Sequence, residues 1–153
     1  CYFCKVSLET GFNTLKISAL EQLSSLNDRK KNTVTRLTRS SKIFKTIIQA
    51  ILDKKGENVI SLDLKKVHEA AADFFIICEA NNTTQLRAIA DFIDYEVKHK
   101  CNDLPYKTEG KQGGQWLLID YINVVVHVMH PEARGFYKLE ELWSDADMKT
   151  HED

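Results

Sequence analysis

The chain has 153 residues, 43% hydrophobic and 28% charged, and a net charge of −1. That length buries the core of one domain without disulfides, and no apolar stretch approaches the roughly 20 residues that a helix spanning a bilayer requires. Residues 1–40 hold seven Lys/Arg against three acids, a charge of +4, which leaves 14 cations against 19 acids, or −5, for residues 41–153. An acidic domain of this kind is a poor general binder of nucleic acid, whose affinity rests on neutralised phosphates, and is better suited to a basic protein surface.

Residues 1–40 are basic, rich in Ser and Thr, and lack a sustained period of 3.6 or 2. They read as a disordered tail with a linker at Asn27-Asp28-Arg29-Lys30-Lys31-Asn32; a transit peptide is the alternative. No secretory signal is expected, since an apolar core and a small-residue cleavage site are lacking. Ser40 or Ser41 caps the first helix, in which Ile43, Phe44, Ile47, Ile48 and Ile51 form an apolar stripe. Lys54 and Lys55 suit its C-terminus, and Gly56 is the expected left-handed stop. Asn58–Leu64 alternates as a strand. Phe74–Cys78 is an unbroken apolar run, as in a strand buried on both faces.

Asn81-Asn82-Thr83-Thr84 opens the longest helix, which carries Leu86, Ile89, Ala90, Ile93 and Val97 on one face and ends near Lys98-His99-Lys100. A short strand around Tyr106–Thr108 and a glycine turn from Gly110 to Gly114 follow. Gln115–Asp120 and Val124–Met129 are close enough to form an antiparallel hairpin. Glu132–Trp143 reads as one closing helix, with its acids early. The order α-β-β-α-β-β-β-α predicts an α/β domain with a mixed sheet over residues 41–147, followed by a C-terminal tail at 148–153.

Catalytic constellations fail on geometry. Two-metal phosphoryl transfer needs paired acids on one face. After Gly113-Gly114, the partner position of Asp120 is Ile122, which binds no metal. Asp145 and Asp147 have the right spacing but are expected in a solvated terminal loop. Cys1-x-x-Cys4 is half a zinc site with no second close pair. Cys78 in its apolar run and Cys101 after a lysine-rich helix end do not suggest a disulfide framework, and a reducing compartment is expected. His127 and His130, three apart on a strand, point to opposite faces; His127 is expected to pack and hydrogen-bond at the sheet, and His68 and His99 to lie in solvent. There is no Gly-x-Gly-x-x-Gly after a strand and no Walker motif. No catalytic residue, cofactor or metal is therefore expected. The positive signal is the strand around Trp116, apolar on both faces, with Trp116, Tyr121, Arg134 and Tyr137 as residue types that anchor protein interfaces.

Asp73-Phe74-Phe75-Ile76-Ile77, Asn82, Gln85 through Asp91, Glu109-Gly110, Trp116 through Tyr121, Val124 through His127, and Glu132-Ala133-Arg134 with Phe136-Tyr137, Leu139-Glu140 and Leu142-Trp143 occur in one order. Over residues 42–147 this set resembles the Iojap-like ribosomal silencing factors. The resemblance implies a fold related to nucleotidyltransferases but without their catalytic acids. It implies a non-enzymatic cytoplasmic factor that binds the large ribosomal subunit through ribosomal protein L-fourteen, blocks subunit joining and represses translation. An organelle form is the alternative location, and a metal-dependent nucleotidyltransferase the rival activity. Trp116, Leu117, Asp120 and Tyr121 would lie at the interface, with His127, Arg134 and Tyr137 as supporting surface. Neither specific nucleic-acid binding nor membrane binding is expected, and a homodimer of the free factor is left open. Where the family commonly has Gly-Asp at the hairpin tip, this chain has Ile122-Asn123. A β-branched residue resists positive φ, so Asn123 is expected to take the left-handed conformation or the turn to differ.

Overall fold

The computed structural model describes residues 37–67, 70, 72–110 and 114–152. Helix α1 (Lys42–Asp53) buries Phe44, Ile47, Ile48 and Ile51 along one side. Ser41 is its N-cap residue, but the Ser41 hydroxyl accepts from the Thr38 amide instead of capping the helix. The left-handed residue after the helix is Lys55, at φ 61°, and not Gly56. Gly56 is required for space: a Cβ there would run into the Ile51 side chain.

Strand β1 (Glu57–Asp63) runs antiparallel to β2 (Phe74–Glu79), with a register shift between Glu57 and Ile60 at the left-handed Asn58. The first five residues of β2 are buried, as its unbroken apolar run predicts. Helix α2 (Thr83–Cys101) starts where the Asn82 side chain accepts from the Gln85 amide at 2.8 Å, and stops at Asn102, φ 51°. Strands β3 (Lys107–Glu109), β4 (Trp116–Asp120) and β5 (Val124–Met129) follow, and β4 and β5 form the expected hairpin.

The closing helix is broken in two, into α3 (Pro131–Tyr137) and α4 (Leu139–Leu142), because Lys138 adopts φ 47°. The break turns the second piece so that Leu139 is buried along with Ala133 and Arg134 of the first. The chain then forms a further strand, β6 (Asp147–His151), antiparallel to β1. Most of the stretch expected as a C-terminal tail is thus part of the sheet. Its exposed side chains concealed the strand, since an edge strand needs backbone pairing and little apolar burial. Residues 37–40, expected within the tail, are also tied in. The Leu37 amide donates to Asp73 Oδ2, and the Arg39 guanidinium donates to Asp147 Oδ2 and to the Asp147 carbonyl, each at 2.8 Å, and to Ser61 Oγ. Of the tail assigned to residues 1–40, residues 1–36 with the Cys1 and Cys4 pair lie outside the described residues, as do His68 and Gly113.

The six strands lie in the order β3-β4-β5-β2-β1-β6, parallel at β2–β5 and antiparallel elsewhere. One face packs on α1 and α2 through Val59, Phe74, Ile76, Leu117, Ile119, Val126 and their neighbours. The opposite face, carrying Phe75 and Trp116, meets Tyr137 and Trp143 of the α3–α4 segment.

Candidate docking face

Alternation along β4 divides the four residues singled out from sequence. Leu117 and Tyr121 belong to the core beneath α1 and α2, whereas Trp116 and Asp120, at odd register from them, project to the other face. The four do not form one patch. Leu117 is 1% exposed, and the Tyr121 hydroxyl donates to Asp94 Oδ1 of α2 at 3.0 Å. Burial and the neighbouring Asp94 carboxylate raise the Tyr121 phenol far above its ordinary value, so it serves as a neutral tether between β4 and α2.

Trp116 and Asp120 instead share a face with His127, Arg134 and Tyr137. The Trp116 indole N–H donates to His127 Nδ1 at 3.1 Å, and its ring lies 4.9 Å from that of Tyr137. His127 is buried, packs edge-on against Phe75 at 4.7 Å, and is pushed down to about 3 by burial. Arg134 is the hub of a polar cluster. Its Nε donates to Glu140 Oε1 at 2.7 Å and its Nη1 to the Asn58 carbonyl at 2.6 Å, and Nη1 lies 3.2 Å from Glu79 Oε1. Arg134 thereby locks α3 onto the β1 bulge, which explains its burial. Trp116 is 7% exposed and Asp120 is fully buried, while Phe136 is 38% exposed and Met148 56% exposed. Phe136 stands edge-on to Tyr137 at 5.0 Å. Sequence reasoning missed Phe136 as surface because it sat among core-like residues, and it missed Met148 because β6 was read as tail.

The hairpin tip departs from expectation. Ile122 itself has φ 71°, and the Asn123 amide donates to the Tyr121 carbonyl across it. This is a three-residue turn of the rare, strained kind. It is held from three sides: Asp120 Oδ1 accepts from the Ile122 amide at 2.7 Å, the Tyr121 amide donates to Val124, and the Asn123 carbonyl accepts from the amides of both Asp73 and Phe74. Strain of this kind persists where the surroundings over-determine the backbone.

The sheet order also bears on phosphoryl-transfer chemistry. Asp120 lies on β4 and Asp147 on β6, with β5, β2 and β1 between them. Four strand spacings of about 4.8 Å each separate the two, far beyond the span of a paired-metal site. Asp147 instead pairs with Arg39, whose hydrogen bond holds its carboxyl below the usual carboxylate range.

Comparison with known proteins places this arrangement. Residues 37–153 match the family model for the ribosomal silencing factor during starvation. The chain is 36% identical over 107 residues to the ribosomal silencing factor RsfS of Halalkalibacterium halodurans, covering 70% of this chain and 90% of that protein. It is 40% identical over 74 residues to the mouse mitochondrial assembly of ribosomal large subunit protein 1, covering 47% of this chain and 32% of that one. A crystal structure of a Chromobacterium violaceum protein superposes with a TM-score of 0.64 at 33% identity, over 67% of this chain and 84% of that one. With a family match that starts at the Leu37–Asp73 tie and runs through β6, the chain belongs to the ribosomal silencing factors.

Proposed function

We propose that this silencing factor binds the large ribosomal subunit through ribosomal protein L-fourteen and sterically prevents the small subunit from joining, without catalysing a reaction. The observation that carries the reading is the family match over residues 37–153. The −5 charge of residues 41–153 supports a basic protein as the partner. The docking surface we assign is the outer side of α3, with Phe136 as its exposed apolar contact. Trp116, Asp120, His127 and Arg134 are buried on that face of the sheet and support the surface from within, Trp116 through its packing on Tyr137. Leu117 and Tyr121 contribute by holding β4 in place. We place the factor in the cytoplasm; the likeness to a mouse mitochondrial protein supports an organelle as the second location.

Sucrose-gradient sedimentation with purified subunits tests the function. The protein should travel with the large subunit and lower the joined-ribosome peak when small subunits are added. Migration at the top of the gradient, with an unchanged joined peak, refutes it.

A further inference from the structure

Phe92, Tyr95 and His99 recur at three- and four-residue spacing on α2, beside the stripe of Ile89, Ile93 and Val97 that faces the core, with Phe92 partly buried against that core and Tyr95 and His99 exposed. Phe92 and Tyr95 are stacked at 13° with centroids 6.4 Å apart, and Tyr95 and His99 lie 4.1 Å apart. Tyr95 is 55% exposed. The column is held in place by the protein itself. His99 Nδ1 donates to the Tyr95 carbonyl at 2.8 Å, and the Lys54 ammonium at the end of α1 sits 4.7 Å over the Phe92 ring. Neither Tyr95 nor His99 belongs to the core cluster, so the fold does not account for them.

Charge identifies what the column fits. Residues 42–56 carry four lysines and one aspartate, and residues 83–101 carry three cations and three acids, so the helix layer has a charge of +3. Since residues 41–153 total −5, everything outside that layer carries −8. The helix layer is thus cationic within an acidic domain; its excess is carried by α1, whose Lys54 reaches the rings of the neutral α2. An acidic peptide would satisfy the lysines, but would extend the column only where it also carried an aromatic side chain at the right spacing. A nucleotide supplies both a plane for the rings and a phosphate for the lysines, and single strands leave their bases free to stack.

We propose that the Phe92–Tyr95–His99 column with Lys54 is a stacking platform for single-stranded RNA, on the side of the sheet opposite the protein-docking face. This goes beyond the reading above, and its test uses free RNA, so that either can fail alone.

Fluorescence anisotropy of the full chain with a labelled twelve-nucleotide oligoadenylate, at two salt concentrations, is the experiment. Binding should weaken with salt. Tyr95→Ala should lose roughly tenfold in affinity at an unchanged melting temperature, while Tyr95→Phe keeps it. Lys54→Gln should reduce the logarithmic salt slope by about 0.7. Absence of binding, equal binding by Tyr95→Ala, or equal affinity for a duplex of the same length overturns the proposal. So does a concentration-dependent dimer in sedimentation equilibrium that Tyr95→Ala abolishes, which would assign the column to a second copy of the chain.

Discussion

The indole N–H of Trp116 donates to Nδ1 of His127 across two neighbouring strands, at 3.1 Å. Because Nδ1 accepts, the imidazole carries its proton on Nε2, which is buried and meets no hydrogen-bond partner among the described residues. A second proton would have to enter at Nδ1 and break the bond. Burial lowers the His127 pKa from 6.5 to about 3. The unfolded chain therefore binds a proton that the folded chain refuses, and stability is full above about pH 6.5 and falls as pH drops toward 3. Unfolding free energies from denaturant titrations between pH 7.5 and 4 should decline on the order of a few kcal/mol. His127→Phe should be less stable at neutral pH, because the Trp116 donor loses its acceptor, yet flatter across the same range. An equally steep decline in the variant assigns the acid sensitivity to other groups.

Ile122→Gly should stabilise the fold by about 1 kcal/mol, since glycine takes positive φ without the steric cost a β-branched side chain incurs. Thermal unfolding checks this directly. A drop in melting temperature would mean that the half-buried Ile122 side chain contributes more than its backbone strain costs.

Arg39→Ala should lower the thermal unfolding temperature, through lost hydrogen bonds to Asp147 and Ser61 where β6 joins β1. Deletion through residue 38 also removes the Leu37 amide from Asp73. Its effect on the chemical denaturation midpoint should be measurable, contrary to the reading of residues 1–40 as a disordered tail.

Trp116→Ala reports on docking poorly, because it removes a buried ring bonded to His127 and should cost roughly 3 kcal/mol or more of stability. Phe136→Ala is the cleaner variant. It should leave the melting transition close to native and lower large-subunit binding by roughly tenfold or more, as truncation of an interface aromatic does. Undiminished co-sedimentation by this folded variant moves the docking surface off α3. Asp120→Lys tests fold and docking together, since Asp120 Oδ1 also fixes the Ile122 turn.

The core elements were legible because burial writes a period. The stripes on α1 and α2, the unbroken run of β2 and the β4–β5 hairpin all fell where alternation placed them. The Lys138 break and the Lys55 stop were not legible, because left-handed lysines carry no local mark and each depends on contacts formed elsewhere. Strand β6 escaped because Asp147-Met148-Lys149-Thr150 has no apolar alternation, and its pairing with β1 rests on backbone hydrogen bonds and on polar side-chain contacts such as Ser61 Oγ with His151 Nε2. Residue types alone selected β4 for the proposed docking face; period-2 geometry assigns Leu117 and Tyr121 to the side opposite Trp116 and Asp120.

The pairing of β6 with β1 brings residues 147–151 beside residues 59–63. During synthesis, β1 emerges long before its outer neighbour exists. The sheet keeps an open edge at β1 until the codons for β6 have been read and that segment has cleared the exit tunnel. Contacts of such long sequence separation form late and slowly. The sheet is therefore completed only after residues 147–151 have been made, and a nascent chain stalled before residue 147 would present β1 as an unpaired edge open to misassembly.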